Sequence, residues 1–494
     1  RDLAKIDQRL EWLKRLFYVP VQPMELYIAE TSENLCLEAA EQLSYTPFAG
    51  GPWGEEWGSA WFKGQYTIDS GISQTVNSEE RLFLQVDTGG ESLVYIDGEA
   101  VGAIDRQHHE IPLRGLELDP GTHEVLIESY AGHHIDNRTK LTEHAQHSWE
   151  APVFKHCQLV RRNEAAWNLY FDMATLYNAA NQLPEDSLRK TRIYQTLLEA
   201  VHSMAWDTAD IEGRNRDFRR ISERLAPLLE KKNSPTTPIV NWIGHAHIDV
   251  AWLWPIKETI RKCGRTFATQ LRYFDEYSFY QFIQSQAQCY EFVEKHYPRI
   301  FSRIVDAVQD RRWEVNGGMW VEADTNLPST ESLIRQFLIG QSYFQSKFGV
   351  KTDVLWLPDV FGYNGNLPQI MRGCGIKYFV TSKIGWNDTN QFPYDLFRWY
   401  GIDGSDILVL FIKNTYNSDT KPEMLHKTWQ EFISKQETDL ILDTVGYGDG
   451  GGGVTMEQLE YAKRLADLEG VPKTRFGFVS DLMEELEQNI EQYP

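Results

Sequence analysis

The chain has 494 residues, and its 49 Lys and Arg against 71 Asp and Glu leave a formal charge of −22. That length exceeds one ordinary domain, and 42% apolar with 24% charged residues is a globular balance, neither disordered nor collagen-like. So acidic a surface repels phosphate backbones, which argues against nucleic acid as a partner, and no run of 18 apolar residues is present to span a membrane.

Residues 1–18 read as a helix, with Leu3, Ile6, Leu10, Leu13 and Phe17 at steps of three and four, and open an N-terminal helical segment over 1–50. Over 51–163 the period shortens. The runs Leu82–Val86, Ser92–Ile96 and His123–Glu128 alternate or are β-branched, and Asp87-Thr88-Gly89-Gly90, Asp97-Gly98 and Asp119-Pro120-Gly121 mark turns between them. That pattern predicts an antiparallel, jelly-roll-like β-sandwich. Residues 164–237 return to helical spacing, ending at Lys231-Lys232-Asn233-Ser234-Pro235.

From 238 to 494 apolar strands alternate with amphipathic helices. Ile239–Ile243 precedes a helix near 256–273, and Phe279–Phe282 precedes one over 288–308. Trp313–Val315 precedes one from Ser329 to Phe348. Val354–Leu357, Tyr378–Thr381, Ile407–Ile412, Leu440–Val445 and Phe476–Val479 complete the series. The expected fold is α/β: the β-sandwich followed by a (β/α)7-8-type barrel, with chemistry on the loops after the strands. The five Cys are odd in number and far apart, which reads as reduced thiols. The aromatic content of 13%, with 16 Trp, suits core filling and sugar stacking alike.

Gly244-His245-Ala246-His247-Ile248-Asp249 follows the first strand of the α/β series. If the backbone stays extended, His245, His247 and Asp249 project from one face, the mixture of imidazole and carboxylate that Zn²⁺ takes. A lone His at a strand end would more simply bond its neighbours; two His and an Asp in five residues favour a metal. In Leu357-Pro358-Asp359-Val360-Phe361-Gly362-Tyr363, Asp359 sits after another strand, where it could also serve as a helix cap. The acids of Gly317-Gly318-Met319-Trp320-Val321-Glu322-Ala323-Asp324 and Tyr447-Gly448-Asp449-Gly450-Gly451-Gly452-Gly453 lie on further loops of the same kind. The glycine run lacks the Gly-Lys-Ser/Thr ending of a phosphate loop, so it reads as room for close backbone approach to a ligand. Paired carboxylates beside a metal, with no phosphate site, point to glycoside hydrolysis.

Together, His-Ile-Asp-Val-Ala-Trp, Pro-Asp-Val-Phe-Gly-Tyr and Tyr-Gly-Asp-Gly-Gly-Gly-Gly, in that order, resemble glycoside hydrolase family 38, the retaining, zinc-dependent α-mannosidases. The resemblance runs from about residue 238 to the end. It is strongest to the branch of cytosolic and vacuolar enzymes and their bacterial relatives, which implies a cytoplasmic location and a mannose-containing oligosaccharide as substrate. It implies Zn²⁺, or alternatively Co²⁺, on His247, Asp249 and Asp359, with Asp359 also the nucleophile, Asp449 the general acid/base, and His245 beside the metal without binding it. By the same resemblance Trp252 packs on the sugar, Lys383 lies against it, and Asp324 binds its hydroxyls. The family completes its zinc site with a His from a later His-Asp motif. After His247 this chain has only His296 and His426, both in helical text, so a companion C-terminal segment is expected to supply that ligand. The alternatives are a metal-dependent amidohydrolase, suggested by His245-Ala246-His247, and a non-catalytic carbohydrate-binding protein, suggested by the sandwich and the aromatics. Homo-oligomerisation stays open.

Overall fold

The computed structural model describes residues 3–69, 81–116, 119–133, 149–203, 208–489, 491 and 493–494. Parts of the segments read as helix (1–2, 204–207) and as β-domain (70–80, 117–118, 134–148) lie outside the described residues. The first helix, Leu3–Lys14, buries Ile6, Leu10 and Leu13, three of the five expected positions. It stops short of residue 18 because the chain enters Val19-Pro20-Val21-Gln22-Pro23, whose prolines cannot sit inside a helix. That stretch forms the strand Tyr18–Pro23, antiparallel to His156–Arg162. The β-domain therefore reaches back to residue 18, and most of the segment read as helical over 1–50 belongs to it.

Two antiparallel sheets make the sandwich. One orders Tyr18–Pro23, His156–Arg162, Arg81–Asp87 and Glu110–Pro112. The other orders Thr46–Phe48, Leu26–Thr31, Ser59–Ile68, Gly121–Tyr130, Glu91–Ile96 and Glu99–Ile104. Leu84, Val86 and Leu159 from the first meet Phe62, Val94 and Ile127 from the second in a shared core, as period-two alternation requires. Three helices follow, Glu164–Gln182, Leu188–His202 and Ile211–Leu229, the first buried along most of its length.

Among the described residues the α/β unit has eight parallel strands, hydrogen-bonded in two arcs. One arc holds Trp313–Val315, Phe282–Gln284, Ile239–His245 and Leu440–Val445, with Lys473–Phe476 also beside Ile239–His245. The other holds Val354–Leu357, Tyr378–Thr381 and Asp406–Phe411, edged by the antiparallel Leu396–Tyr400, which the sequence reading missed. Ile243, Ile283 and Leu442 of one arc pack with Trp356, Val380 and Leu410 of the other, so the interior is filled in common, as in a barrel. Two boundaries differ from expectation. The helix read over 288–308 breaks at Tyr297-Pro298 into Ala287–His296 and Pro298–Gln309, with Pro298 at the first helical position of the second. The last strand is Lys473–Phe476, and Val479 instead opens the helix Val479–Glu487.

The helix after the first strand, Ile256–Glu276, joins barrel and sandwich through buried charge. Arg261 Nε donates to Glu128 Oε1 of the sandwich at 2.7 Å and its Nη1 to Ser59 Oγ at 2.9 Å. Lys262 and Arg265 both reach Glu91 at 2.8 Å, and Arg265 also pairs with Glu258. Breaking such a buried pair strands a charge, whereas an exposed pair contributes little. Arg261→Met, which leaves Glu128 buried without its partner, should destabilise by about 3–5 kcal/mol. Lys155→Ala, which removes an exposed pair with Asp87, should cost under about 1 kcal/mol. Urea midpoints of the two variants check the contrast.

Candidate active site

The acids and bases singled out above gather at the C-terminal ends of the parallel strands. After Ile239–His245 the chain leaves the ladder, and Ile248 instead bridges Gly450 antiparallel. Asp249 N donates to Asp449 O at 2.9 Å and Gly451 N to His247 O at 3.2 Å, so the His247 loop and the glycine loop zip together. The expected close backbone approach at the glycines is therefore to protein. A Cβ on Gly451 (φ +82°) would meet Thr266 Oγ1 at 2.3 Å, and one on Gly448 would meet His247 Cβ at 3.1 Å.

His247, Asp249 and Asp359 converge, one ligand atom from each lying within 4.8 Å of the others. His247 Nε2 is 3.2 Å from Asp249 Oδ1 and 3.4 Å from Asp359 Oδ2. Ligands about 2.0–2.2 Å from a tetrahedral Zn²⁺ stand about 3.3–3.6 Å apart; the 3.4 Å separation lies in that range and the 3.2 Å one just below it, close to what an ion at their centre needs. The other ring nitrogen, Nδ1, is 3.1 Å from Glu322 Oε2, the partner that would fix its orientation. Burial works against a charged imidazole here, but the carboxylates of Glu322, Asp249 and Asp359 outweigh it and hold the His247 pKa well above the usual range. Three carboxylates crowded on one imidazole are a donor set that calls for a cation.

Asp359 is held from its other side by Lys383, whose Nζ is 2.7 Å from Oδ1. Burial raises its pKa, yet His247 and Lys383 prevail and keep it below the usual carboxylate range. Ser382 Oγ donates to Pro358 O at 2.5 Å, tying the two loops. The Lys383 ammonium sits 3.2 Å from the centre of the Trp386 ring and 4.8 Å from that of Phe361. Trp252 has an exposed ring, 57% accessible, set edge-on to Trp254.

Two residues that the reading of motifs did not assign complete the cluster. Glu322 is fixed by Ser285 Oγ, which donates to its Oε1 at 2.5 Å, and by its own N–H, which donates to Gln286 Oε1 at 3.1 Å. Tyr416 donates from its hydroxyl to Asp449 Oδ1 at 2.7 Å, faces Asp359, and sets its ring edge-on to His247 at 5.1 Å. Glu322 was marked only as one of the acids of its loop, without a role, and no local signal marked Tyr416.

Two expected positions are not in the ligand group. His245 still belongs to the strand, and because the ladder stops there the alternation that would align it with His247 is lost. Its ring is buried against Trp356, centroids 5.1 Å apart, with neither ring nitrogen hydrogen-bonded, and burial drives its pKa well below the usual value. Asp324 is exposed and spends Oδ1 on its own turn, accepting from Asn326 N at 2.7 Å and Leu327 N at 2.8 Å. His296 ends the helix Ala287–His296 and His426 sits on Pro422–Glu431, and neither joins the metal-ligand group.

The model of the glycosyl hydrolases family 38 N-terminal domain matches residues 238–494, and that of the α-mannosidase jelly roll domain matches residues 19–155. Similar proteins include human α-mannosidase 2C1, 34% identical over 94% of this chain and 44% of that protein. α-Mannosidase G of Dictyostelium discoideum is 32% identical over 94% of this chain and 43% of that protein. A crystal structure of an α-mannosidase from Enterococcus faecalis aligns at TM-score 0.44 and 19% identity, over 51% of this chain and 30% of that one. The chain thus spans less than half the length of the curated relatives it matches. Since the first model takes in more than half of the residues, beginning one residue before the strand that leads to His247, the chain belongs to glycosyl hydrolase family 38.

Proposed function

We propose that this chain forms the catalytic part of a retaining, metal-dependent exo-α-mannosidase that removes terminal α-linked mannose from oligosaccharides in the cytoplasm. The observation that carries this reading is the convergence of His247, Asp249, Asp359, Lys383 and Asp449 on one strand-end cluster, in a family whose relatives here are named α-mannosidases. Bound to His247, Asp249 and Asp359, Zn²⁺ (or Co²⁺) would supply the positive charge that holds sugar hydroxyls and keeps Asp359 ionised. Asp359 attacks the anomeric carbon, and Asp449 gives a proton to the departing glycosidic oxygen. Asp449 then takes a proton from the water that releases mannose from the Asp359 ester. Because Tyr416 bonds Asp449 while facing Asp359, the two carboxylates flank a single hydroxyl. That suits the separation of about 5–5.5 Å in a retaining pair better than the wider gap of an inverting one. Trp252 offers its exposed ring to the sugar, and Lys383 orients Asp359.

An amidohydrolase would need His245 beside His247, and His245 packs on Trp356 instead. A binding module without chemistry leaves the carboxylate pair unexplained. We take the fourth metal ligand to be a His from a C-terminal segment outside residues 1–494, so this chain alone should bind zinc weakly and turn over little. Zinc stoichiometry and the rate on a chromogenic α-mannoside, with and without the downstream segment, check this; full activity of residues 1–494 would refute it.

In the complete enzyme, Asp359→Asn should keep the fold and lower turnover by roughly 10³-fold or more, since nucleophile and metal ligand are impaired together. A variant with more than about a tenth of the activity would remove Asp359 from that role. Glu322→Gln should weaken zinc affinity by about 10–100-fold, as loss of a carboxylate behind a ligating His commonly does. Competition with a chelator of known affinity measures this independently of turnover.

A further inference from the structure

The loop that carries Asp449 is held from two sides, and one of them is the β-sandwich. Within the barrel, Thr266 Oγ1 accepts from Gly452 N at 2.9 Å, and Gln270 Nε2 donates to Gly452 O at 2.7 Å and to Val454 O at 3.1 Å. From the sandwich, the turn after Glu99–Ile104 brings His108 against the same loop, its Nε2 3.1 Å from Val454 O. His108 Nδ1 is 2.9 Å from Asp105 Oδ1, and a Cβ on Gly452 would stand 3.3 Å from Asp105 Oδ2. The facing groups at both ring nitrogens, a carboxylate and a carbonyl, only accept, so both nitrogens must donate and the ring is an imidazolium. Burial opposes the charge on each partner, but each sustains the other: Asp105 is held down at about 2 and His108 is raised. Tyr273, stacked 6.1 Å away, and Glu110 also face His108. The loop itself needs such support, since Asp449 sits in the left-handed region at φ 65°, unusual for a non-glycine residue.

We propose that Asp105 and His108 are positioning residues of the sandwich that hold the loop Tyr447–Gly453 so that Asp449 meets the glycosidic oxygen. This rests on the mannosidase reading and deepens it: the sandwich becomes part of the acid/base machinery. The step served is proton transfer from Asp449 to the leaving oxygen as the bond to the anomeric carbon breaks and the Asp359 ester forms.

The test compares His108→Ala with His108→Gln, whose amide retains a donor toward Val454 O, in the metal-loaded enzyme with its downstream segment. kcat/KM is measured on methyl α-mannoside, whose alkoxide leaves only with a proton, and on 2,4-dinitrophenyl α-mannoside, which needs almost none. The Ala variant should lose about 10²-fold on the first substrate and less than about threefold on the second, with the Gln variant recovering most of the loss. Equal losses on both substrates would overturn the proposal, because general destabilisation does not distinguish leaving groups. If the wild type cleaves neither mannoside, the functional reading fails and amide exchange decides the positioning role. The Gly451–Val454 amides should then exchange at least about tenfold faster in His108→Ala than in the wild type, with Leu440–Val445 unchanged. Unchanged exchange at Gly451–Val454 would overturn it.

Discussion

The helix Ile256–Glu276 buries Arg261, Lys262 and Arg265 against the sandwich and, along the same length, offers Thr266 and Gln270 to the loop that carries Asp449. Charges so placed must be matched almost completely, because an unpaired guanidinium or carboxylate in the interior costs several kcal/mol. Glu128, Glu91 and Glu258 meet that demand, and the first two, on sandwich strands, lock the orientation of barrel and sandwich. Lys262 extends the effect: its ammonium lies 4.7 Å from the centre of the Trp254 ring, which in turn backs Trp252. His133 of the sandwich adds a bond from Nε2 to Leu253 O at 2.5 Å. Both loops that flank the His247 cluster thus rest on the other domain.

Inside the cluster, electrostatics works in the opposite direction. Among the described residues, Glu322, Asp249 and Asp359 stand around His247 without enough positive charge to balance them, and only Lys383 reaches Asp359 from outside. A fold tolerates such frustration where function requires it, and the glycosidase chemistry proposed here uses it to keep a nucleophile ionised and a cation site attractive.

Much of this was legible in the text of the chain. His247, Asp249 and Asp359 stand within two to four residues of strands whose apolar runs are plain, so their convergence followed once the α/β alternation was recognised. Tyr416 was not legible, and of Glu322 only its place among the loop acids was, because they lie five and seven residues beyond their strands, where loop geometry alone decides which way a side chain turns. His245 does not join the ligand group, because alternation holds only while the ladder lasts, and it stops at that residue. Among the elements, Leu396–Tyr400 escaped notice as a half-exposed antiparallel edge, and Tyr18–Pro23 because apolar steps of the first helix run on into it. The break at Tyr297-Pro298 did have a signal, proline, that helical periodicity masked.

The seam between the two arcs of strands has a mechanical side. His247, Asp249, Glu322 and Asp449 follow strands of one arc, whereas Asp359, Lys383 and Tyr416 follow strands of the other. The contacts His247–Asp359 and Tyr416–Asp449 are therefore stitches across a seam where, among the described residues, the backbone pairs only at the isolated Ser418–Val445 bridge. An ion seated among His247, Asp249 and Asp359 would act as a rivet through both halves, and its binding free energy would be felt as resistance of the whole barrel to opening. By mass action, that resistance would grow with the logarithm of free metal concentration, so metal supply would set the stability of the fold as well as the readiness of the site.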